Sequence, residues 1–165
     1  EKMDGTNACI VIQEGKIVAV QSRKRFITPE DDNFGFATWV YANETELLKL
    51  GDGYHYGEWC GPGIQKNPHN LNEKRLYLFD VRRWGEHNPN TPSVCDVVDT
   101  LFNGRQEEGS IGETMSMLRC VSDLAGCTPE GVIVYYHNTK HLEKYTFKNS
   151  GGKWCGETQR TKDQE

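Results

Sequence analysis

The sequence has no hydrophobic stretch long enough to cross a membrane, which takes about 18–20 consecutive apolar residues. The run from Ala8 to Ile12, ACIVI, has five. A basic segment followed by an apolar one, the mark of a secretory leader, is also missing at the start. We therefore expect no membrane partner. Because the chain begins at Glu1 and not at methionine, we expect it to be a processed or cropped piece of a longer protein.

The sequence also lacks a Cys-x-x-Cys pair, which argues against a zinc ribbon or a thioredoxin-type motif. An even number of cysteines permits disulfides, but a chain of 165 residues can bury an ordinary core without them. We expect reduced, structural cysteines and a cytoplasmic protein. The six cysteines are Cys9, Cys60, Cys95, Cys120, Cys127 and Cys155.

The sequence has fewer basic than acidic residues. Lysine and arginine total 19 against 24 aspartate and glutamate, a net charge of −5. A nucleic-acid-binding protein usually has a basic surface, so the balance by itself argues against that class. Charged residues make up 26% of the chain, close to the globular norm, which excludes a disordered acidic chain and a coiled coil. The length is that of one domain.

The pattern of apolar residues predicts an α+β fold with mainly antiparallel sheets flanked by helices. Short β-rich runs separated by glycine and asparagine predict strands, and apolar residues at helical spacing predict two helices. The predicted elements are a hairpin over 8–22, a helix over 35–50 ended by Gly51, strands over 54–59, 75–81 and 94–102, a helix over 111–124, and strands over 131–136 and 144–147.

The opening residues KMDGTN contain a candidate nucleophile, Lys2, just before the first strand. A lysine amine attacks only when it is neutral, which nearby cations, a metal or desolvation can favour. Gly5 would allow a tight turn or a close approach of the backbone to a ligand. On this motif alone, the ordinary interpretation is a solvated turn that enters the hairpin.

Four further residues are candidates for a site, and each also has an ordinary interpretation. Glu58 and Glu130 are carboxylates at the ends of predicted strands, where solvated side chains are common. Phe79 lies in an aromatic strand and could be a core residue. Lys144 could protect an edge strand against aggregation.

Taken together and in this order, the segments KMDG, SRKR, GEW, LYLFDV, EGVIV and KYTFK resemble the motifs of the covalent nucleotidyltransferases. That superfamily includes ATP-dependent DNA ligases, RNA ligases and mRNA-capping guanylyltransferases. The phage-type RNA ligase domain is the most similar, on Asn7, GEWCGPGIQK and FITPEDDNFGFATWVY. The resemblance implies a nucleotidyltransferase domain, with the ATP-grasp-like ligase adenylation fold, over residues 1–148, followed by a polar tail over 149–165.

The resemblance implies a covalent mechanism that starts at Lys2. Lys2 would attack the α-phosphate of ATP and hold AMP as a phosphoramidate while pyrophosphate leaves. Lys144 would contact the α-phosphate, and Lys148 would assist it. Glu130 would hold a divalent metal, Mg²⁺ or Mn²⁺, directly or through water.

The remaining assignments implied by the resemblance concern the nucleotide. Asp4 and Gly5 would shape the turn after Lys2, and Asn7 would bind near the phosphates or the nucleic-acid end. Arg23 would reach the nucleotide phosphate or the 5′-phosphate terminus.

For the nucleoside, Glu58 would accept hydrogen bonds from the ribose hydroxyls, and Phe79 would stack on the adenine. In the family, AMP then moves to the 5′-phosphate end of RNA or DNA, and a 3′-hydroxyl attacks to seal the strand and release AMP.

The sequence departs from the family pattern in two places. The family's last motif has two lysines separated by one residue, but here that spacing pairs Lys144 with Thr146. Lys2 is the second residue of the given sequence, whereas the family normally has residues upstream of this lysine and often a second domain downstream that helps to grip the nucleic acid; we expect both in the longer protein.

Three alternatives stay open at this stage: a capping-type guanylyltransferase, a DNA ligase, and a nucleotide- or RNA-binding module without catalysis. The acidic balance does not exclude nucleic acid, because a phosphate site needs only a local cluster of cations. Such clusters occur at Arg23–Arg25, at Arg82–Arg83 and at Lys144 with Lys148.

Overall fold

The computed structural model describes residues 1–85, 88–105, 107 and 109–147. The chain forms two compact units. One spans Asp4–Asp99, and the other joins Glu1–Met3 to Thr100–Glu165. The architecture is mixed α+β and most strand pairs are antiparallel, which confirms this part of the predicted fold class.

The Asp4–Asp99 unit is built on a six-stranded sheet in the order β3-β2-β1-β4-β5-β6. Five strand pairs form its ladder, and only the pair β5–β6 is parallel. The strands are β1 (Thr6–Gln13), β2 (Lys16–Ser22), β3 (Phe26–Ile27), β4 (Gly53–Cys60), β5 (Arg75–Leu78) and β6 (Cys95–Val97).

The predicted hairpin over residues 8–22 is confirmed by β1 and β2. Its turn contains Glu14 and Gly15, both with positive φ, as a two-residue connection between twisted strands requires. The carboxylate of Asp52 accepts hydrogen bonds from the backbone N–H groups of these two residues, at 2.9 and 3.0 Å. These bonds lower the pKa of Asp52.

One face of the sheet packs on the helices α1 (Phe36–Ala42) and α2 (Glu44–Leu47), which a 3-10 turn, Leu48–Leu50, follows. An aromatic cluster occupies this core, with the rings of Trp39 and Trp59 4.9 Å apart. The largest fully buried side chains of this unit are Trp59, Phe36, Ile10, Ile12, Leu47, Leu50, Ile64, Leu76, Leu78, Val20 and Val40. The apolar residues of the strands and of the helices that cover them therefore supply the core together.

Three predicted elements of the Asp4–Asp99 unit differ from the structure. The helix predicted over 35–50 is interrupted at Asn43, whose side chain returns to the carbonyl of Trp39, although it ends at Gly51 as expected. The strand predicted over 75–81 ends at Leu78, because Asp80 caps the short helix α3 (Val81–Trp84) by accepting from the N–H of Arg83. The strand predicted over 94–102 is reduced to β6.

The second unit contains the helix α4 (Ser110–Leu124) and the hairpin of β7 (Gly131–Tyr136) and β8 (His141–Thr146). The helix predicted over 111–124 is confirmed, and the strand predicted over 144–147 begins three residues earlier than expected. Met115 and Leu118 of α4 pack with Val132 in the core of this unit. One face of the hairpin is thereby covered by the helix.

No disulfide joins the described cysteines, Cys9, Cys60, Cys95, Cys120 and Cys127, to one another, and Cys155 lies outside the described residues. Burial raises the pKa of Cys9 to about 11 and that of Cys95 to about 12, so both are protonated at neutral pH. Within the described residues, no helix is both long and apolar enough to span a bilayer.

Candidate functional site

Lys2 and Glu130 form an ion pair in the unit that joins the N-terminal residues to the C-terminal part of the chain. The backbone N–H of Lys2 donates to the carbonyl of Gly131 at 2.9 Å, and this bond forms an antiparallel bridge to the start of β7. The Lys2 side chain is 20% exposed and that of Glu130 is 31% exposed, so the pair is shielded but open to solvent.

Lys144 lies on β8 of the same unit, opposite Ile133 of β7. Because residues directly opposite in an antiparallel pair point to the same face, Lys144 shares a face with Ile133 and Gly131. Lys2 bridges Gly131, and so Lys2 and Lys144 belong to one face of the hairpin. The structure thus places two predicted cationic residues on the hairpin face that α4 does not cover.

The glycine after Glu130 is required by the close approach of β7 to β8. A Cβ atom at Gly131 would lie 2.0 Å from the carbonyl oxygen of Tyr145, and φ there is +150°. Only glycine tolerates both conditions. β7 therefore begins at Gly131, directly after Glu130, and Glu130 lies beside the bridge between Lys2 and Gly131.

In the Asp4–Asp99 unit, Asn7 and Glu58 lie directly opposite each other on β1 and β4. Glu58 is also directly opposite Tyr77 of β5, so the three side chains form one row across the sheet. This face is opposite the one that carries the buried core residues Ala8 and Trp59. The predicted nucleotide-binding residues Asn7 and Glu58 are thus adjacent on the face of the sheet opposite this core, and both are half-buried.

Phe79 is placed differently from the expectation that it would lie on a central strand. It comes immediately after β5, its N–H donates to the carbonyl of Tyr56 at 3.0 Å, and the residue is 37% exposed. Continuation of the β4–β5 register sets Phe79 opposite Tyr56, two residues from Glu58 along β4. By this register Phe79 is on the same face of the sheet as Glu58, at the point where β5 ends.

Asp4 and Gly5 are held by the loop that follows β4. The N–H of Asp4 donates to Nε2 of His69 at 3.0 Å, and the Gln65 amide donates to the carbonyl of Gly5 at 3.1 Å. A Cβ at Gly5 would lie 2.4 Å from the carbonyl oxygen of Trp59. Gly5 therefore allows the chain to approach the end of β4, as expected for a glycine at a close backbone contact.

Arg23 is exposed in the turn between β2 and β3. Ser22, the last residue of β2, pairs with Ala8, so Arg23 leaves the sheet at the end where Asn7 lies. Its neighbour Arg25 is paired with Asp31, whereas Arg23 has no hydrogen bond or ion pair to the described residues. Lys148, the other predicted cation, lies outside the described residues.

Four residues beside the predicted set were missed from the sequence: Tyr56, Tyr77, Gln65 and His69. Burial is the main cause that raises the pKa of Tyr77 to about 12, so its hydroxyl stays protonated. The alternation in YHYGE, with tyrosines two apart and two from Glu58, was a signal for Tyr56. No local pattern indicated Gln65 or His69.

A metal would have only a sparse set of protein ligands. Among the described residues, no group of three or more His, Cys, Asp or Glu side chains could hold a metal ion. Mg²⁺ is commonly bound by one or two carboxylates together with substrate phosphates and water, so a single carboxylate, Glu130, fits this mode of binding. A closed protein cage for a metal is not formed by the described part of the chain.

Two comparisons with known proteins relate this chain to RNA ligases. An RNA ligase of Naegleria gruberi, solved with PPi, superposes with a TM-score of 0.54 at 19% sequence identity. The alignment covers 88% of this chain and 47% of that chain, so this chain spans about half the length of the Naegleria protein. That likeness shows a shared fold. A sequence model of the RNA ligase family matches residues 1–150, and the chain therefore belongs to the RNA ligase family.

Proposed function

We propose that this chain is the nucleotidyl-transfer part of an ATP-dependent RNA ligase and that Lys2 is its nucleophile. The observation that carries the proposal is the pairing of Lys2 with Glu130, which come from opposite ends of the described chain and from two separate motifs. In the first step, Nζ of Lys2 attacks the α-phosphorus of ATP. A P–N bond forms, the bond to the β-phosphate oxygen breaks, and pyrophosphate leaves.

The amine of Lys2 has to lose a proton before it attacks, because only the neutral amine has a free lone pair. Glu130 accepts the hydrogen bond of the ammonium group in the resting protein. The pair therefore orients Nζ while it is unreactive, and the pair has to open before the reaction. When bound at Glu130 and the phosphates, Mg²⁺ or Mn²⁺ would neutralise charge on the nucleotide.

Lys144 would stabilise negative charge that develops on the α-phosphate. It shares the open hairpin face with Lys2, and a fixed cation is most effective where charge develops in the transition state. Lys148 is proposed as an assisting cation. Pyrophosphate is the leaving group of this step, and the PPi in the Naegleria RNA ligase structure is consistent with that reaction class.

The Asp4–Asp99 unit would bind the nucleoside. Glu58 would accept hydrogen bonds from the ribose hydroxyls, and its neighbour Asn7 would bind near the phosphates or the nucleic-acid end. The exposed ring of Phe79 would stack on adenine, which an aromatic side chain at a strand end can do. Asp4 and Gly5 would shape the turn after Lys2.

The second and third steps would use RNA ends. The 5′-phosphate oxygen of one RNA end attacks the phosphorus of lysyl-AMP, the P–N bond breaks, and Lys2 regains its amine. The 3′-hydroxyl of the other end then attacks the 5′-phosphate, forms the phosphodiester and releases AMP. Arg23 is proposed to contact the terminal phosphate, because its guanidinium extends from an exposed turn.

The test is intact-protein mass spectrometry of the full-length protein after incubation with Mg²⁺ and either ATP or GTP. A gain of one AMP that Lys2→Arg abolishes is expected, since arginine keeps the positive charge but is not a nucleophile at neutral pH. Lys66→Arg, at an exposed loop position, is the matched control and should keep the adduct. Ligation of 5′-phosphorylated RNA and DNA strands then identifies the polymer.

The outcomes separate the alternatives. An adduct formed only from GTP would indicate a capping-type guanylyltransferase, and sealing of DNA but not RNA would indicate a DNA ligase. If neither nucleotide gives an adduct while RNA or nucleotide still binds, the protein is a binding module without catalysis.

A further inference from the structure

The loop between β4 and β5, residues 61–74, has a regular internal framework. Ile64 is fully buried and anchors the loop in the core of its unit. The N–H of Asn67 bonds to the carbonyl of Ile64 at 3.0 Å. The side chain of Asn67 closes the next turn with two bonds to Leu71, at 2.8 and 3.1 Å. A loop with such contacts can hold the side chains at its surface in fixed positions.

Two of those side chains bind consecutive residues of the segment that follows Lys2. His69 Nε2 accepts from the N–H of Asp4 at 3.0 Å, and the Gln65 amide donates to the carbonyl of Gly5 at 3.1 Å. One bond uses a backbone donor and the other a backbone acceptor, so they restrain different groups of the segment. Because both partners lie more than fifty positions away in the sequence, the bonds are tertiary contacts.

The segment is also pressed against the end of β4. The position of a Cβ at Gly5 is occupied by the carbonyl oxygen of Trp59, the sulfur of Cys60 at 2.7 Å and Cγ of Glu58 at 3.1 Å. The backbone of Gly5 therefore has β4 on one side and a hydrogen bond from Gln65 at its carbonyl. Hydrogen bonds between a side chain and the backbone, such as these, favour one conformation of a short segment.

We propose that Gln65 and His69 are positioning residues for the nucleotidylation of Lys2. They hold the Asp4–Gly5 backbone in the conformation that this reaction with ATP requires. The inference rests on the proposed function, because it assigns to two further side chains a part in the same reaction. Neither side chain is proposed to touch ATP. The bond from Asp4 requires an unprotonated Nε2 on His69, so this nitrogen acts as an acceptor.

The test compares His69→Leu, His69→Gln and Gln65→Glu with the unaltered full-length protein. Leucine removes the acceptor, whereas glutamine restores an acceptor oxygen near the position of Nε2. Glutamate at position 65 has nearly the shape of glutamine but no amide donor, and it replaces an exposed residue, so the fold is not at risk. Asn72→Ala, at an exposed position in the same loop, is the matched control.

Two measurements are made on each protein: the rate of lysyl-AMP formation as a function of ATP concentration, and the hydrogen exchange of the Asp4 amide. We expect His69→Leu and Gln65→Glu to lower the rate at saturating ATP about 10-fold or more, since small misplacements of reacting groups are costly. The KM for ATP should stay within about 3-fold, because no nucleotide contact is removed. His69→Leu should speed exchange at Asp4, and His69→Gln should restore both the rate and the protection.

Each of these measurements can contradict the positioning role of Gln65 and His69. If His69→Leu and Gln65→Glu form lysyl-AMP at the unaltered rate, or if His69→Gln is as slow as His69→Leu, the positioning role is wrong. An increase in KM with no change in the saturated rate would also overturn it, because that pattern indicates direct binding of ATP. Failure of the unaltered protein to form any adduct overturns the proposed function, and the positioning role with it.

Discussion

The side chains of Lys2 and Glu130 form an ion pair, and the backbone N–H of Lys2 also donates to the carbonyl of the next residue along, Gly131. The backbone bond fixes the position of Lys2 along the edge of β7, and the ion pair orients its side chain. A cation and a carboxylate are therefore held together on a hairpin whose other face is packed against α4.

Replacement of Glu130 by glutamine should slow lysyl-AMP formation strongly. The change keeps the shape of the side chain but removes the charge that pairs with Lys2 and that is proposed to hold Mg²⁺. We expect the rate to fall about 10–100-fold, the usual effect of the loss of a metal-supporting group. The rate is measured with labelled ATP over a range of Mg²⁺ concentrations, and half-saturation should move to higher Mg²⁺.

Glu113→Gln is the control for this change, since Glu113 is an exposed carboxylate on α4 of the same unit. It should leave both the rate and the Mg²⁺ dependence unchanged. A Glu130→Gln protein that matched the unaltered protein would exclude a role for this carboxylate in the reaction.

Replacement of Phe79 by leucine should weaken ATP binding. Loss of a stacked ring removes about 0.5–1.5 kcal/mol, and so we expect KM for ATP to rise by up to about 10-fold with a smaller change in the saturated rate. Phe79→Trp should retain affinity because it keeps a stacking surface. Steady-state adenylylation at varied ATP concentrations measures both parameters.

The matched control is Phe26→Leu, which makes the same change at an aromatic residue of β3 that is 68% exposed. Its KM should equal that of the unaltered protein. Equal KM values for Phe79→Leu and Phe26→Leu would show that Phe79 does not stack on the nucleotide.

Replacement of Gly5 by alanine should destabilise the Asp4–Asp99 unit. The added Cβ would lie 2.4 Å from the Trp59 carbonyl oxygen, a backbone atom that cannot move aside cheaply. We expect the free energy of unfolding to fall by about 1–3 kcal/mol, as for other overpacked positions. Urea unfolding of the two proteins measures the difference.

Gly15→Asn is the comparison, because Gly15 has positive φ in the β1–β2 turn and nothing within 4 Å of an added Cβ. Asparagine tolerates that conformation, so stability should hardly change. If Gly5→Ala were equally harmless, the close contact at the end of β4 would not constrain this position.

The stability of the protein should decrease in mild acid because of His55. Burial is the main cause that lowers the pKa of His55 below its ordinary value of 6.5, and its Nε2 lies 2.8 Å from the carbonyl oxygen of Gly51. In mild acid the unfolded chain therefore binds a proton at this histidine that the folded chain does not. The contribution of neutral His55 to the free energy of unfolding is complete above about pH 6.5 and is lost as the pH falls below that value.

Urea unfolding at pH 7.5 and pH 5.0 should show this loss, and His55→Gln should reduce the difference between the two values. Glutamine keeps an N–H for the Gly51 carbonyl but does not titrate. An identical pH dependence in both proteins would assign the effect to other groups.

Local features of the sequence predicted the elements well where the pattern was regular. The hairpin of β1 and β2, the helix α4 and the hairpin of β7 and β8 follow from runs of β-branched residues, from helical spacing and from turn residues. The errors occurred where a side chain redirects the backbone. Asn43 and Asp80 bond to nearby backbone groups, which interrupts the first helix and ends β5 early.

The ordered motifs, together with Asn7, GEWCGPGIQK and FITPEDDNFGFATWVY, indicated an RNA ligase domain, and the chain belongs to the RNA ligase family. The sequence by itself also determined which residue types are available for the chemistry: a lysine, two carboxylates, an aromatic ring and several cations. Each of these depends only on residue identity and spacing along the chain.

Only the tertiary structure decided which of them meet. The bridge from Lys2 to Gly131, the pairing of Asn7 with Glu58, and the bonds from Gln65 and His69 to the Asp4–Gly5 segment all join residues that are far apart in sequence. Strand register sets the pairing of Asn7 with Glu58, and a shift of one residue would turn every side chain of the strand to the opposite face. That register depends on the packing of the whole sheet against its helices, which no local stretch of sequence contains.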